Sequence, residues 1–153
     1  PGRGARGGRA DAGRLLAARD ARAAAGWTLL VTNSRRTPAD LAGALAARLD
    51  PDRHLLFRGA GSNPYPGLLG HAEAVLVTQD SVNMASEAAS SGLPLHVFEV
   101  ARPTAKARAF HAALAGHGAA RPFAGEIGRW RYPPLAEADR IAAEVSARLL
   151  PPR

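Results

Sequence analysis

The chain has 153 residues, enough for one domain with a sizeable core, and no cysteine, which excludes disulfides, thiolate metal sites and a thiol nucleophile. Its 20 basic and 13 acidic residues give a net charge of +7, but Lys106 is the sole lysine; arginine in such excess, beside abundant alanine, glycine and proline, reads as GC-rich coding rather than as a nucleic-acid footprint. Aromatic residues make up 5%, too few for base-stacking platforms, and no run has the length of a transmembrane helix or the apolar core of a signal peptide.

Residues 1–14 are low in complexity and predict a disordered or degenerate arm; a phosphate-binding glycine loop at Gly7-Gly8 is the sharper alternative, although no strand precedes it. The remainder, 15–153, predicts one domain. Residues 15–25 read as an alanine-rich helix stopped by Gly26, and 27–32 as an apolar strand. That strand runs into Ser34-Arg35-Arg36, and Thr37-Pro38 opens a helix to residue 49 with Leu41, Leu45 and Leu49 on one stripe. Two arginines between a strand end and a helix start suit an anionic ligand; a solvated charged turn is the plainer reading. Residues 54–57 form a third short apolar run. A loop with Asn63-Pro64-Tyr65 follows, and then a short helix through Leu68, Leu69 and His71.

Residues 74–100, AVLVTQDSVNMASEAASSGLPLHVFEV, predict strand, turn, helix and strand. Asp80 and Ser81 are helix-capping residue types, Gly92 ends the helix and Pro94 prevents its resumption. Such a βαβ unit places ligands beyond the carboxyl ends of its strands, here at Thr78-Gln79-Asp80-Ser81. A helix start there offers N–H groups to a phosphate. Asp80, Met84 and Glu87 fall near one helix face, with Glu87 about 10 Å along the axis from Asp80. A carboxylate at that remove can accept from two ribose hydroxyls; the competing reading is a capped helix with Met84 in the core and Glu87 in solvent. A helix from Thr104 to about residue 115 follows, and residues 119–134 read as irregular, with Trp130 and Tyr132 as surface anchors. A last helix over 135–149 carries Ile141, Val145 and Leu149 on one stripe. Four strands alternating with helices predict an α/β fold with a Rossmann-like parallel sheet flanked by helices.

The five histidines show no metal-ligand spacing, and no Gly-x-Ser-x-Gly elbow or P-loop occurs. The sequence therefore assigns no catalytic residue, no metal and no cofactor.

Three segments resemble the mitochondrial-fission, elongated-mitochondria (ELM) type family: Ser34-Arg35-Arg36-Thr37-Pro38, Asn63-Pro64-Tyr65, and residues 77–88 leading to Gly92-Leu93-Pro94. The tail Gly128-Arg129-Trp130-Arg131-Tyr132-Pro133-Pro134-Leu135 fits as well. The family includes a plant member tied to mitochondrial division and many bacterial members without assigned activity. It is in turn similar to the carboxyl-terminal half of GT-B glycosyltransferases. The resemblance implies that Glu87 meets a ribose diol, that Asp80, Ser81 and the backbone at Val82 meet a diphosphate, that Asn63 to Tyr65 lie near the base, and that Ser34, Arg35 and Arg36 face phosphate. It also implies an opening strand before a glycine loop and a facing amino-terminal domain. Neither is read in this sequence, so the chain is expected to be a donor half, inactive alone. The expected ligand is a nucleoside diphosphate or nucleotide-sugar; the expected location is the cytoplasm, or the periphery of a membrane. The alternative is a non-enzymatic module recruiting division machinery at a membrane surface through a protein partner.

Overall fold

The computed structural model describes residues 3–33, 37–59 and 61–149. The chain opens with helix α1 (Arg3–Ala24) and turns at Gly26, whose φ of 85° suits a residue without a Cβ. Strand β1 (Leu30–Thr32) follows, then α2 (Ala39–Arg48), β2 (Leu55–Phe57) and the short α3 (Tyr65–His71). The central unit is β3 (Val75–Thr78), α4 (Val82–Ser90) and β4 (Leu95–Phe98). Helix α5 (Ala105–Gly116), strand β5 (Ala120–Pro122) and helix α6 (Glu137–Leu149) complete the chain.

All strand pairs are parallel, as the alternation of strands and helices predicts, in two ladders. One pairs β1 with β2, in register Leu30 to Leu55. The other runs β3-β4-β5, with Val75 opposite Leu95 and Leu95 opposite Ala120. The core sits under this second ladder. Every residue of β4 is buried, and Leu95 is fully so. Helix α4 packs against it through Ala85, Ala88 and Ala89, all without solvent exposure. Their small side chains bring the helix backbone close to the sheet. Leu114 from α5 and Ala119 close the far side.

Two elements differ from the sequence expectation. The segment read as irregular contains β5, a three-residue edge strand. It is too short for periodicity to reveal, and Pro122 is tolerated because only one side is paired; Phe123 N–H continues the ladder to Val97 C=O at 2.8 Å. Helix α1 begins at Arg3 rather than near Leu15, taking in most of the segment expected to be an arm. Long-range contacts hold the middle of the helix: Asp11 accepts from Ala101 N–H at 2.9 Å, and Arg14 donates to Glu99 C=O at 3.0 Å while its guanidinium lies 4.8 Å over the Phe98 ring.

The tail, residues 128–135, straps the carboxyl end of α4. Tyr132 Oη lies 2.8 Å from Leu93 C=O and 3.1 Å from Ala89 C=O, and Leu135 N–H donates to Ala89 C=O at 3.2 Å. These contacts satisfy carbonyls that a helix end leaves without partners. By contrast, α6 buries none of its residues, and Ile141, Val145 and Leu149 are exposed.

Leu95→Ala is expected to lower stability by about 2–5 kcal/mol, because the site cannot collapse around the lost side chain. Val145→Ala is expected to cost less than about 0.5 kcal/mol at its exposed position. Urea unfolding of the two variants checks the contrast.

Candidate functional site

The carboxyl end of β3 leads straight into the start of α4. Ser81 N–H donates to Thr78 C=O at 2.9 Å, closing a tight turn over Gln79 and Asp80. Thr78 Oγ1 and Ser81 Oγ are hydrogen-bonded at 3.2 Å. Ser81 occupies the N-cap position but makes no side-chain cap bond; its hydroxyl faces Thr78 instead. Asp80 is exposed beside them.

Two buried side chains fix this turn from below. His111 on α5 donates from Nε2 to Gln79 C=O at 2.9 Å. Burial pushes its pKa below the ordinary histidine value, against the opposing pull of the Gln79 bond and of Asp80. Tyr65 donates its hydroxyl to Met84 C=O at 2.8 Å and is 7% exposed. Its pKa is pushed up to about 12, chiefly by burial and then by the nearby Glu87 carboxylate. Asn63 Oδ1 accepts from Tyr65 N–H at 3.0 Å, which sets the entry to α3.

A cavity of about 1010 Å³ opens beside the turn. The carboxyl ends of β1 and β3 reach it, with Thr32 and then Asn33 from one and Thr78, then Asp80 and Ser81, from the other. Met84 and Tyr65 also line it; Asn63, Val82 and Glu87 do not, and Glu87 is exposed on α4. Ser34, Arg35 and Arg36 lie outside the described residues; their neighbours Asn33 and Thr37 both line the cavity. The structure thus brings Asp80, Ser81 and Tyr65 to one cavity.

Trp130 and Tyr132, expected as surface anchors, bond within the chain. Trp130 Nε1 donates to Gly118 C=O at 2.9 Å, its ring lies 5.0 Å from that of His96, and the Arg121 guanidinium sits 4.3 Å above it. The roles of His96, His111 and Trp130 depend on residues 12 to 34 positions away, and nothing in the local sequence marks them. Among the described residues no three His, Asp or Glu side chains gather as a metal site, and no helix is long and apolar enough to cross a membrane.

A family model described as mitochondrial fission ELM1 matches residues 5–149. The chain is 35% identical over 126 residues to the mitochondrial fission protein ELM1 of Arabidopsis thaliana, a match covering 77% of this chain and 30% of that protein. It is 38% identical over 85 residues to an uncharacterized protein of Rickettsia prowazekii (strain Madrid E), covering 53% of this chain and 24% of that one. The chain therefore spans under a third of the length of either relative. No solved structure gives a significant match.

The Tyr65 hydroxyl makes stability depend on alkaline pH. Its folded pKa lies above the unfolded value of 10.0, so its contribution is whole below pH 10 and is lost as pH rises towards about 12. Tyr65→Phe is expected to remove that part of the alkaline loss, and to cost about 1 kcal/mol at neutral pH by removing the hydroxyl's hydrogen bond to Met84 C=O. Urea unfolding at neutral and alkaline pH reads both effects.

Proposed function

The chain belongs to the mitochondrial fission ELM1 family, and on that premise we propose that it binds a nucleoside diphosphate or nucleotide-sugar as the donor half of a GT-B-like glycosyltransferase. The observation that carries this reading is the start of α4, where Ser81 makes no side-chain cap bond and lines, with Asp80, a large cavity at the carboxyl ends of β1 and β3. Ligands of open α/β sheets bind at that edge, and helix N–H groups with the positive dipole end suit phosphate.

In this reading Ser81 and the backbone at Asp80 and Val82 hold the diphosphate. Asp80 contributes through its N–H, since its carboxylate repels phosphate. Ser34, Arg35 and Arg36 face the same anion from the β1 side; arginine forks match phosphate oxygens in pairs. Glu87, exposed on α4 and near enough to Tyr65 to raise its pKa, takes the two ribose hydroxyls. The base lies towards Asn63 and the ring of Tyr65, whose hydroxyl is already committed to Met84. Transfer needs an acceptor, which a facing amino-terminal domain would bring.

A second reading takes its support from the name of the Arabidopsis relative, a mitochondrial fission protein. Here the chain is a non-enzymatic module that recruits division machinery at a membrane surface. Trp130 and Tyr132 are bonded within the fold, so the apolar surface open to a protein partner is the Ile141, Val145 and Leu149 face of α6. This module needs no affinity for nucleotides.

Calorimetric titration with UDP, GDP and ADP at low salt separates the two readings. The donor-site reading expects one of them to bind, with affinity lowered about tenfold or more by Glu87→Ala and likewise by Arg35→Ala, since each removes charge-assisted hydrogen bonds. Binding untouched by Glu87→Ala removes Glu87 from the site. No heat with any of the three favours the recruiting module.

A further inference from the structure

Among the described residues His54, His96 and His111 are buried. His54 accepts from Leu29 N–H, ahead of β1, and His96 meets Gly128 from the first half of β4. His111 instead reaches the carboxyl edge of the sheet, where its Nε2 lies 2.9 Å from Gln79 C=O in the turn between β3 and α4. It is 6% exposed and stands on the face of α5 that also buries Ala107 and Leu114.

That one bond orients a peptide. The link between Gln79 and Asp80 is trans, so its C=O and its N–H point in opposite directions. The C=O turns inwards to α5, and the Asp80 N–H is therefore aimed outwards. The cavity lies on that outward side: Asp80 lines it, whereas Gln79 and His111 do not. Gln79 N–H, bonded to Phe98 C=O at 3.0 Å, ties the same turn to the end of β4. The ring thus stands behind the turn and fixes the plane of the peptide in front of it.

The ring also has a nitrogen that this bond does not use. A carbonyl only accepts, so Nε2 carries the proton and the neutral ring keeps a bare lone pair on Nδ1. Nδ1 is buried and has no hydrogen-bond partner among the described residues. A proton can add there without disturbing the bond to Gln79, so the ring can gain charge while the turn keeps its shape. In the free protein burial opposes that charge, and Asp80, facing the ring from the turn, favours it. On the ring's own helix, the Arg108 guanidinium is turned to Pro103 C=O at 2.8 Å, and the uncharged Phe110 ring lies 5.3 Å away. An anion bound to the outward N–H would stand about 8 Å from Nε2, with one peptide unit between them, near enough to favour an imidazolium.

We infer that His111 is a positioning residue for the diphosphate site, holding the Gln79-Asp80 peptide towards the ligand and coupling ligand binding to proton uptake on its own ring; the inference rests on the nucleotide reading. The coupling is reciprocal. A bound diphosphate raises the proton affinity of the ring, and a protonated ring raises the affinity for diphosphate by the same factor. Affinity therefore climbs as pH falls through the pKa of the ligand-bound ring and levels off below that of the free ring. The site holds its anion more tightly in acid while its geometry is unchanged.

Calorimetric titration with UDP, GDP and ADP at pH 8 and pH 5, at fixed ionic strength, tests this on the unaltered chain, His111→Gln and His111→Leu. A glutamine amide can donate from the place of Nε2 but does not titrate; leucine does neither. At pH 8, His111→Leu is expected to weaken binding about fivefold or more, and His111→Gln to recover most of that loss. Between pH 8 and pH 5 the unaltered chain is expected to gain about tenfold in affinity relative to His111→Gln, with proton uptake seen as a dependence of the heat on buffer ionisation. The ligand's own ionisation near about pH 6 is common to all three proteins and cancels in that comparison. Equal pH dependence in the unaltered chain and His111→Gln overturns the coupling, and no recovery by His111→Gln at pH 8 overturns the positioning role; in both cases the donor site stands. No binding to the unaltered chain at either pH overturns the nucleotide reading and this inference with it. Should His111→Leu fail to fold, the comparison with His111→Gln decides.

Discussion

The close seating of α4 on the β3-β4 ladder is the constraint on which the rest depends. Three alanines make the contact, and all are fully buried. A larger side chain at any of them would lift the helix and overpack the core. With the helix seated low, its start meets the end of β3 in a tight turn, and its end falls under the tail. Gly92 takes a φ of 78° there, and a Cβ at that position would meet the Pro134 ring at 3.2 Å. The turn after β3 can be held by His111 and Tyr65 only because α5 and α3 reach a helix so placed. The proposed ligand edge is thus a by-product of small-residue packing.

The parts of the fold carried by short-range signals were legible. The β3-α4-β4 unit announces itself through a β-branched run, capping residue types, a glycine stop and a second apolar run. The parallel class follows from the alternation of such units. What depends on distant partners was not legible. Strand β5 is three residues long and exists because β4 offers it an edge. Helix α1 extends back to Arg3 with glycines that disfavour a helix, and contacts more than eighty residues away in sequence hold it. The division of the strands into two ladders is a property of neighbours in space, which periodicity does not report.

The candidate site divides along the same line. Thr78, Asp80 and Ser81 were readable because strand, turn and helix start are contiguous in sequence. The commitment of the Tyr65 hydroxyl to Met84 spans two elements and could not be read from the Asn-Pro-Tyr motif alone. Glu87 shares a helix with Ser81, yet it stands outside the cavity lining that includes Ser81. Trp130 and Tyr132 look like interface anchors by residue type, and their hydrogen bonds inside the chain appear only once the tail is folded over α4.

Two separate ladders also bear on how the molecule comes apart. Backbone pairing couples β3, β4 and β5 over a buried apolar core, so they are expected to lose structure together. Between β1-β2 and that block no ladder bond is shared. Among the described residues, α1 links the two through its hydrogen bonds to residues 99–101 and the stacking of Arg14 on Phe98, and Tyr65 of α3 adds its bond to Met84 of α4. All-or-none melting requires that opening one part raises the cost of keeping the other closed. Here that linkage rests on helices rather than on a shared ladder, and β1, β2 and α2 are expected to form the lower-stability unit, opening while the β3-β4-β5 block stays folded.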